Sequence, residues 1–197
     1  WQTADEYLSG DVRRKLQRAR LAAEENPEFA INVEKLEQIQ PKDLTASEIS
    51  VRIGASWIDQ KYYQQFMYDL LQTPWRLRGN KIKLLYSGAT GEWRVQNKGA
   101  DSKDNVKVHT TYGTKRANAY DIFEDALNQR DVRIFDKKWI DGKETRVLNE
   151  KQTVIAQQKQ EAICEAFKDW IFKDPERREA LCKKYNALFN NIRPREY

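Results

Sequence analysis

The sequence predicts an α+β fold with a helical N-terminal arm, a central, mostly antiparallel sheet with packed helices, and a C-terminal antiparallel helix pair. Three observations predict it. Apolar residues recur at helical spacing near both ends, as Val12, Leu16, Ala19 and Ala23 and again as Val154, Ile155, Ile163, Phe167 and Ile171. Between these ends the pattern changes to two-residue alternation around turn residues. The hydrophobic share, 40% of 197 residues, suffices for one sizeable core or two small ones.

In chain order, Ser9 and Asp11 are positioned to cap a helix through about Glu25 whose other face is basic (Arg13, Arg14, Lys15, Arg18, Arg20). Asn26-Pro27 breaks it, and Pro27 suits the first turn of a second helix carrying Phe29, Ile31, Val33, Leu36 and Ile39, which ends at Pro41. Thr45 and Glu48 form a capping-box pattern, yet residues 49–53 alternate like a short strand, and both readings stay open. From Asp59 an apolar stripe of Tyr62, Tyr63, Phe66, Met67, Leu70 and Leu71 marks a core helix ending before Thr73-Pro74.

Residues 81–86 and 92–96 alternate on either side of Ser87-Gly88-Ala89-Thr90-Gly91, which predicts a hairpin. A polar loop over 99–105 leads to a strand at 106–109 and then a helix over 117–128. A second hairpin follows, with strands at 132–135, 139–140 and 145–148 about an Asp141-Gly142 turn. Asn149 caps a long helix over 150–172, and Asp174-Pro175 separates it from a last helix over 176–190. The expected division is a helical arm over 1–44, an α+β core over 45–148 with about five strands, and a helical pair over 149–197 packed on that core.

Charged residues make up 33% of the chain, but the signs are interleaved and the net charge is only +5, a modest pull toward anionic partners. Cys164 and Cys182 lack metal-ligand spacing and His109 is the lone histidine, so no zinc site is expected and the thiols are read as reduced. No apolar run reaches membrane-span length and no signal region opens the chain, so no membrane partner and a cytoplasmic location are expected. The first residue is Trp1 and the last stretch is basic, so the sequence reads as a segment of something longer.

Catalytic motifs are missing. Gly88-Ala89-Thr90-Gly91 lacks the lysine and hydroxyl of a Walker loop, His109 has no spaced nucleophile, and the carboxylates form no metal motif. No catalytic residue, no metal and no cofactor are assigned to this chain.

Recognition chemistry concentrates at Thr110-Thr111-Tyr112-Gly113-Thr114-Lys115-Arg116-Ala117-Asn118-Ala119-Tyr120, read as a strand-to-helix corner. A helix start offers unpaired N–H groups and partial positive charge, so Lys115 and Arg116 beside Gly113 suit phosphate. Lys107, His109, Thr111, Thr114 and Asn118 add donors, and Tyr112 can stack on a base. The alternative is a polar corner in which Thr114 merely caps the helix. Arg76 and Arg78, beside Trp75, form a second basic turn whose tryptophan is expected to be half-buried.

Four strings taken in order carry a family resemblance. They are Glu6-Tyr7-Leu8-Ser9-Gly10-Asp11-Val12-Arg13, Asp43-Leu44-Thr45-Ala46-Ser47-Glu48-Ile49-Ser50-Val51-Arg52-Ile53-Gly54, Tyr112-Gly113-Thr114-Lys115-Arg116-Ala117-Asn118-Ala119-Tyr120 and Asn191-Ile192-Arg193-Pro194-Arg195-Glu196-Tyr197. The chain resembles the inter-domain segment of large bacterial mobile-element and phage proteins. These fuse an adenine-specific DNA methyltransferase-like region to a Swi/Snf-type superfamily II helicase. The resemblance implies a parent that acts on DNA with ATP and magnesium, and with S-adenosylmethionine or a relic of its site. It carries no catalytic residue onto this chain. The expected function is a non-catalytic accessory domain that binds DNA, with Arg193 and Arg195 as supplementary contacts, or a connector docked on the flanking helicase and methyltransferase-like regions without touching DNA.

Overall fold

The structure, a computed structural model, describes residues 3–140 and 142–195. Trp1, Gln2, Glu196, Tyr197 and Asp141 of the expected Asp141-Gly142 turn lie outside these residues. The chain divides into two compact units: residues up to Ser50 together with Pro175 onward, and Val51–Asp174. The boundaries therefore fall elsewhere than at 44 and 148. The long helix belongs to the second unit and the last helix to the first.

In the first unit, α1 (Ala4–Tyr7) starts with a capping box between Thr3 and Glu6. Helix α2 (Val12–Glu25) is capped by Asp11, whose carboxylate accepts from the Arg14 amide. It buries Val12, Leu16 and Ala19 against Leu36 of α3 (Ala30–Gln38), with Val33 and Ile39 beside them. Burial of such side chains stabilises by about 1.5–3 kcal/mol each, which is what holds this small helical core together. Strand β1 (Gly10–Asp11) pairs antiparallel with β6 (Ile192–Arg193), joining the two ends of the described chain. On α7 (Pro175–Phe189), buried Asn186 treats Leu44 as a strand neighbour would: its Nδ2 donates to the Leu44 carbonyl (2.9 Å) and its Oδ1 accepts from the Leu44 amide (2.8 Å).

In the second unit, α4 (Gln60–Leu71), α5 (Ala119–Leu127) and α6 (Glu150–Ile171) pack together, and the hairpin of β2 (Leu84–Ser87) and β3 (Glu92–Val95) lies on α4 and α5. The stripe expected on α4 is the core: Tyr63 stacks on Phe167 at 5.3 Å and meets the edge of Trp93 at 5.1 Å, while Phe66 meets Phe167 at 5.1 Å. Tyr63 and Phe66 are buried, as the stripe predicts for a core helix.

The strands are antiparallel as expected, but they form three separate two-stranded ladders, the third being β4 (Phe135–Ile140) with β5 (Lys143–Leu148). Two causes prevent a sheet of about five strands. Residues 132–134 belong to no strand and are bonded by side chains of α6: the Val132 amide donates to Gln160, Gln157 donates to the Val132 carbonyl, and the Ile134 amide donates to Thr153. The strand expected at 106–109 is absent, because Asn105 caps a helical turn over Lys107–Thr111 that ends in a π-type bond from the Tyr112 amide to the Lys107 carbonyl. Likewise 49–53 forms neither helix nor strand, although Ile49, Val51 and Ile53 are all buried.

Candidate nucleic-acid interface

The recognition stretch folds as a tight loop between the π-helical turn and α5. Thr114 organises it. Its Oγ1 accepts from the amides of Arg116 (3.2 Å) and Ala117 (3.0 Å), and its own amide donates to the Ala117 carbonyl at 2.7 Å. Gly113 is there because backbone passes through the space of a side chain: a Cβ would lie 2.0 Å from the Val108 carbonyl oxygen and 2.9 Å from the Ala119 nitrogen. The loop is therefore fixed by packing at one end and by a hydroxyl at the other.

The helix start is not the phosphate cradle that the sequence suggested. Helix α5 begins at Ala119, which is fully buried, and Asn118 caps it by accepting from the Asp121 amide. Asp121 adds a carboxylate to the first turn, and Lys98 bridges it to Glu124 at 3.2 Å and 2.8 Å. Burial works against the Lys98 ammonium, but its bonds to Glu124 and Asp121 outweigh this and hold its pKa above the ordinary lysine value. An anion arriving here would meet negative charge, and Thr114 closes the loop without capping the helix.

The cations of the stretch face α6 instead. Lys115, Arg116, Thr114 and Gly113 line a cleft of about 500 Å³ whose opposite wall is Asn149, Gln152, Ile155 and Lys159 of α6 and its cap. His109 and Thr110 also line it, and among the described residues no carboxylate does. His109 is one of the lining residues, and its Nε2 atom is buried without a hydrogen-bond partner among the described residues. Lys115 is exposed, Lys159 is half-buried, and neither has an anionic partner among the described residues.

Arg116 is partly committed to structure. Its guanidinium donates to Asp136 (2.7 Å) and to the Phe135 carbonyl (2.8 Å), while Asn149 donates to the other Asp136 oxygen (2.8 Å). Arg116 first and Asn149 second hold the Asp136 carboxyl below the usual carboxylate range. These bonds tie the root of the β4–β5 hairpin to the wall of the cleft.

The other expected contacts are scattered. Lys107 sits over the Tyr112 ring at 5.9 Å, so that ring face is shared with a cation, and Thr111 lies in the π-helical turn outside the cleft lining. Asn118 also donates to the Lys98 carbonyl, as a structural clamp. Arg78 donates to the Thr73 carbonyl at 2.8 Å and lies over the Tyr68 ring at 5.4 Å, whereas Arg76 is exposed without an ionic partner among the described residues. Trp75 is 86% exposed and not half-buried. Arg193 belongs to β6 and Arg195 pairs with Glu6 at 3.2 Å, both in the first unit.

Asn149, Gln152, Ile155 and Lys159 are the cleft residues that the recognition chemistry read from the sequence did not include. Lys159 and Gln152 are seven apart, two turns of one helix face, but nothing local links them to a loop more than thirty residues earlier.

Among the described residues no helix is long and apolar enough to cross a membrane, and no group of three or more histidines, cysteines or carboxylates is placed to hold a metal ion. No curated protein and no solved structure matches the chain. Residues 52–191, most of the sequence, match the family described as domain of unknown function DUF8437, and the chain belongs to that family.

Proposed function

We propose that this chain is a non-catalytic accessory domain that binds the DNA phosphate backbone in the cleft between the 109–116 loop and α6. Its parent in this reading is a DNA helicase of the Swi/Snf type with a methyltransferase-like region, where ATP and magnesium act at the neighbouring helicase. The observation that carries the reading is the lining itself: Lys115, Lys159 and Arg116 with hydroxyl and amide donors, and no carboxylate among the described residues of the lining. The Gly88–Gly91 turn joins two antiparallel strands, not a strand to a helix, so the residues present do not fit a nucleotide-phosphate loop.

Fluorescence anisotropy of labelled duplex DNA over a salt series tests the proposal. Each lysine removed, Lys115→Ala or Lys159→Ala, is expected to lower the slope of log affinity against log salt by about 0.9 for duplex or about 0.7 for single strands. Absence of binding at low salt, or slopes unchanged by both substitutions, refutes it.

A connector that docks on flanking regions without touching DNA is the second reading. It is favoured by exposed apolar side chains at the end of the first unit, with Leu188 49% and Ile192 68% exposed. It requires copurification with the separately expressed neighbouring regions, undisturbed by Lys115→Glu.

A further inference from the structure

We propose that the β4–β5 hairpin is an arm for unpaired DNA, with Trp139 as the platform on which an extruded or single-stranded base stacks. This rests on the DNA reading above and adds to it a preference for unstacked bases.

Four observations support the assignment. First, among the described residues Phe135–Ile140 pairs only with Lys143–Leu148, and neither strand contains a buried residue. An isolated two-stranded ribbon is marginal in water, so this one depends on its anchored root. Arg116 and Asn149 grip Asp136, and the Asn149 amide donates to the Ile134 carbonyl at 2.8 Å.

Second, Trp139 is 76% exposed near the tip, and Ile140 beside it is 47% exposed. An indole held in water on this ribbon contributes nothing to the core, and an exposed ring is what a base needs.

Third, the charges on the arm are sorted. Its cations are Lys137, Lys138, Lys143 and Arg146, against Asp136, Asp141 and Glu144. Asp136 is taken up by Arg116, and Glu144 bridges Lys137 at 2.9 Å. Lys138 and Lys143 have no ion pair among the described residues and share the strand face opposite Trp139, while Arg146 lies against the Phe135 ring at 4.7 Å on the Trp139 face, where Glu144 stands directly across from the indole. A chain of phosphates bearing aromatic bases matches a ribbon tip with an exposed indole on one face and two exposed lysines on the other better than an apolar protein surface does.

Fourth, the root of the arm is the wall of the cleft. Trp139 lies three residues beyond Asp136, about 10 Å along an extended strand. Trp139 is on the strand face opposite Asp136, so a strand with one phosphate in the cleft reaches the indole by passing over the edge of the two-stranded ribbon. Duplex bases are already stacked on one another, so the platform acts on single strands, frayed ends and junctions.

The test is anisotropy with the 197-residue chain, using labelled oligothymidylate of about 20 nucleotides and a blunt duplex of equal length, since SSB-type sites span up to about 16 nucleotides. Trp139→Ala is expected to weaken oligothymidylate binding roughly 5- to 150-fold and duplex binding less than about twofold, while Trp139→Phe keeps most of the affinity. Unchanged circular dichroism verifies that this exposed position left the fold intact. The double variant Lys115→Ala/Lys159→Ala weakens both DNA forms if the cleft reading holds. Equal behaviour of Trp139→Ala and the parent on both forms overturns the arm alone. Failure of the parent chain to bind either form overturns both readings. Self-association in sedimentation that disappears in Trp139→Ala assigns the hairpin to protein contact and overturns the arm.

Discussion

Gly113→Ala separates a residue required by packing from one tolerated in a loop. The new Cβ would sit 2.0 Å from the Val108 carbonyl oxygen, a full ångström inside the 3.0 Å below which real Cβ contacts essentially never fall, and 2.9 Å from the Ala119 nitrogen. Both obstacles are backbone. One belongs to the π-helical turn and the other to the first residue of α5, so no side chain can swing aside. Relief requires the loop or a helix end to move, and forced backbone shifts of this kind run to about 3 kcal/mol or more. For a chain of this length each kcal/mol moves the melting temperature by about 2–4 °C, so the expected drop is roughly 6–12 °C. Gly88→Ala is the matched control, since nothing lies within 4 Å of its added Cβ and its φ is not left-handed. It should change stability by less than about 1 kcal/mol. Thermal melts by circular dichroism and urea titrations by tryptophan fluorescence measure both. Equal stability of the two variants would show that the Val108–Gly113–Ala119 approach does not hold the loop.

Tyr120→Phe leaves Thr73 and Asp101, both buried, without the phenol they share at 2.7 Å and 2.8 Å. A loss of about 1.5–3 kcal/mol in urea unfolding is expected, and a loss under about 0.5 kcal/mol would contradict it. Asn149→Ala removes both the cap that accepts from the Gln152 amide and the donor to Asp136. It should cost about 1 kcal/mol and speed hydrogen exchange in the first turn of α6. Because Arg116 and Asn149 lower the Asp136 pKa, its contribution is present above the ordinary carboxylate pKa of about 3.9 and is lost as pH falls through the lower folded value. Limited proteolysis of the β4–β5 hairpin should therefore rise in that acid window in the native sequence. In Asp136→Asn it should be independent of pH there, and a retained acid transition would place the responsible carboxyl elsewhere.

Helices were legible wherever a stripe had one side to bury. Tyr63, Phe66 and Met67 on α4 and Ile163, Phe167 and Ile171 on α6 carry the 3.6-residue period because each helix faces a single aromatic core. Residues 106–109 misled because Val106 and Val108 alternate, whereas the deciding interaction is the Asn105 side chain bonding the Lys107 amide. Residues 132–134 join no strand because their hydrogen-bond partners are Thr153, Gln157 and Gln160, four and then three residues apart on one face of α6. No alternation rule describes a strand edge supplied by helical side chains. The loop half of the cleft was visible as a cluster of cations about a glycine. The α6 half was not, since Lys159 looks like any lysine on a long helix until the fold sets it opposite Lys115.

The arrangement of Arg116 sets how strongly this cleft can act. A guanidinium bonded to Asp136 carries little uncompensated charge, so the free cations of the lining are Lys115 and Lys159. Two phosphate contacts correspond to a salt slope of about −1.8 on duplex DNA, far from the slopes near −10 of proteins that bind DNA tightly by charge. An isolated domain of this kind is a weak binder whose contribution comes through effective concentration when tethered beside another DNA-engaged region. Asp136→Asn tests the balance. Removing the compensating carboxylate frees the Arg116 charge and should steepen the slope by about 0.9 while loosening the hairpin root. If Arg116 is only a structural tie, the same variant loosens the root and leaves the slope at its original value.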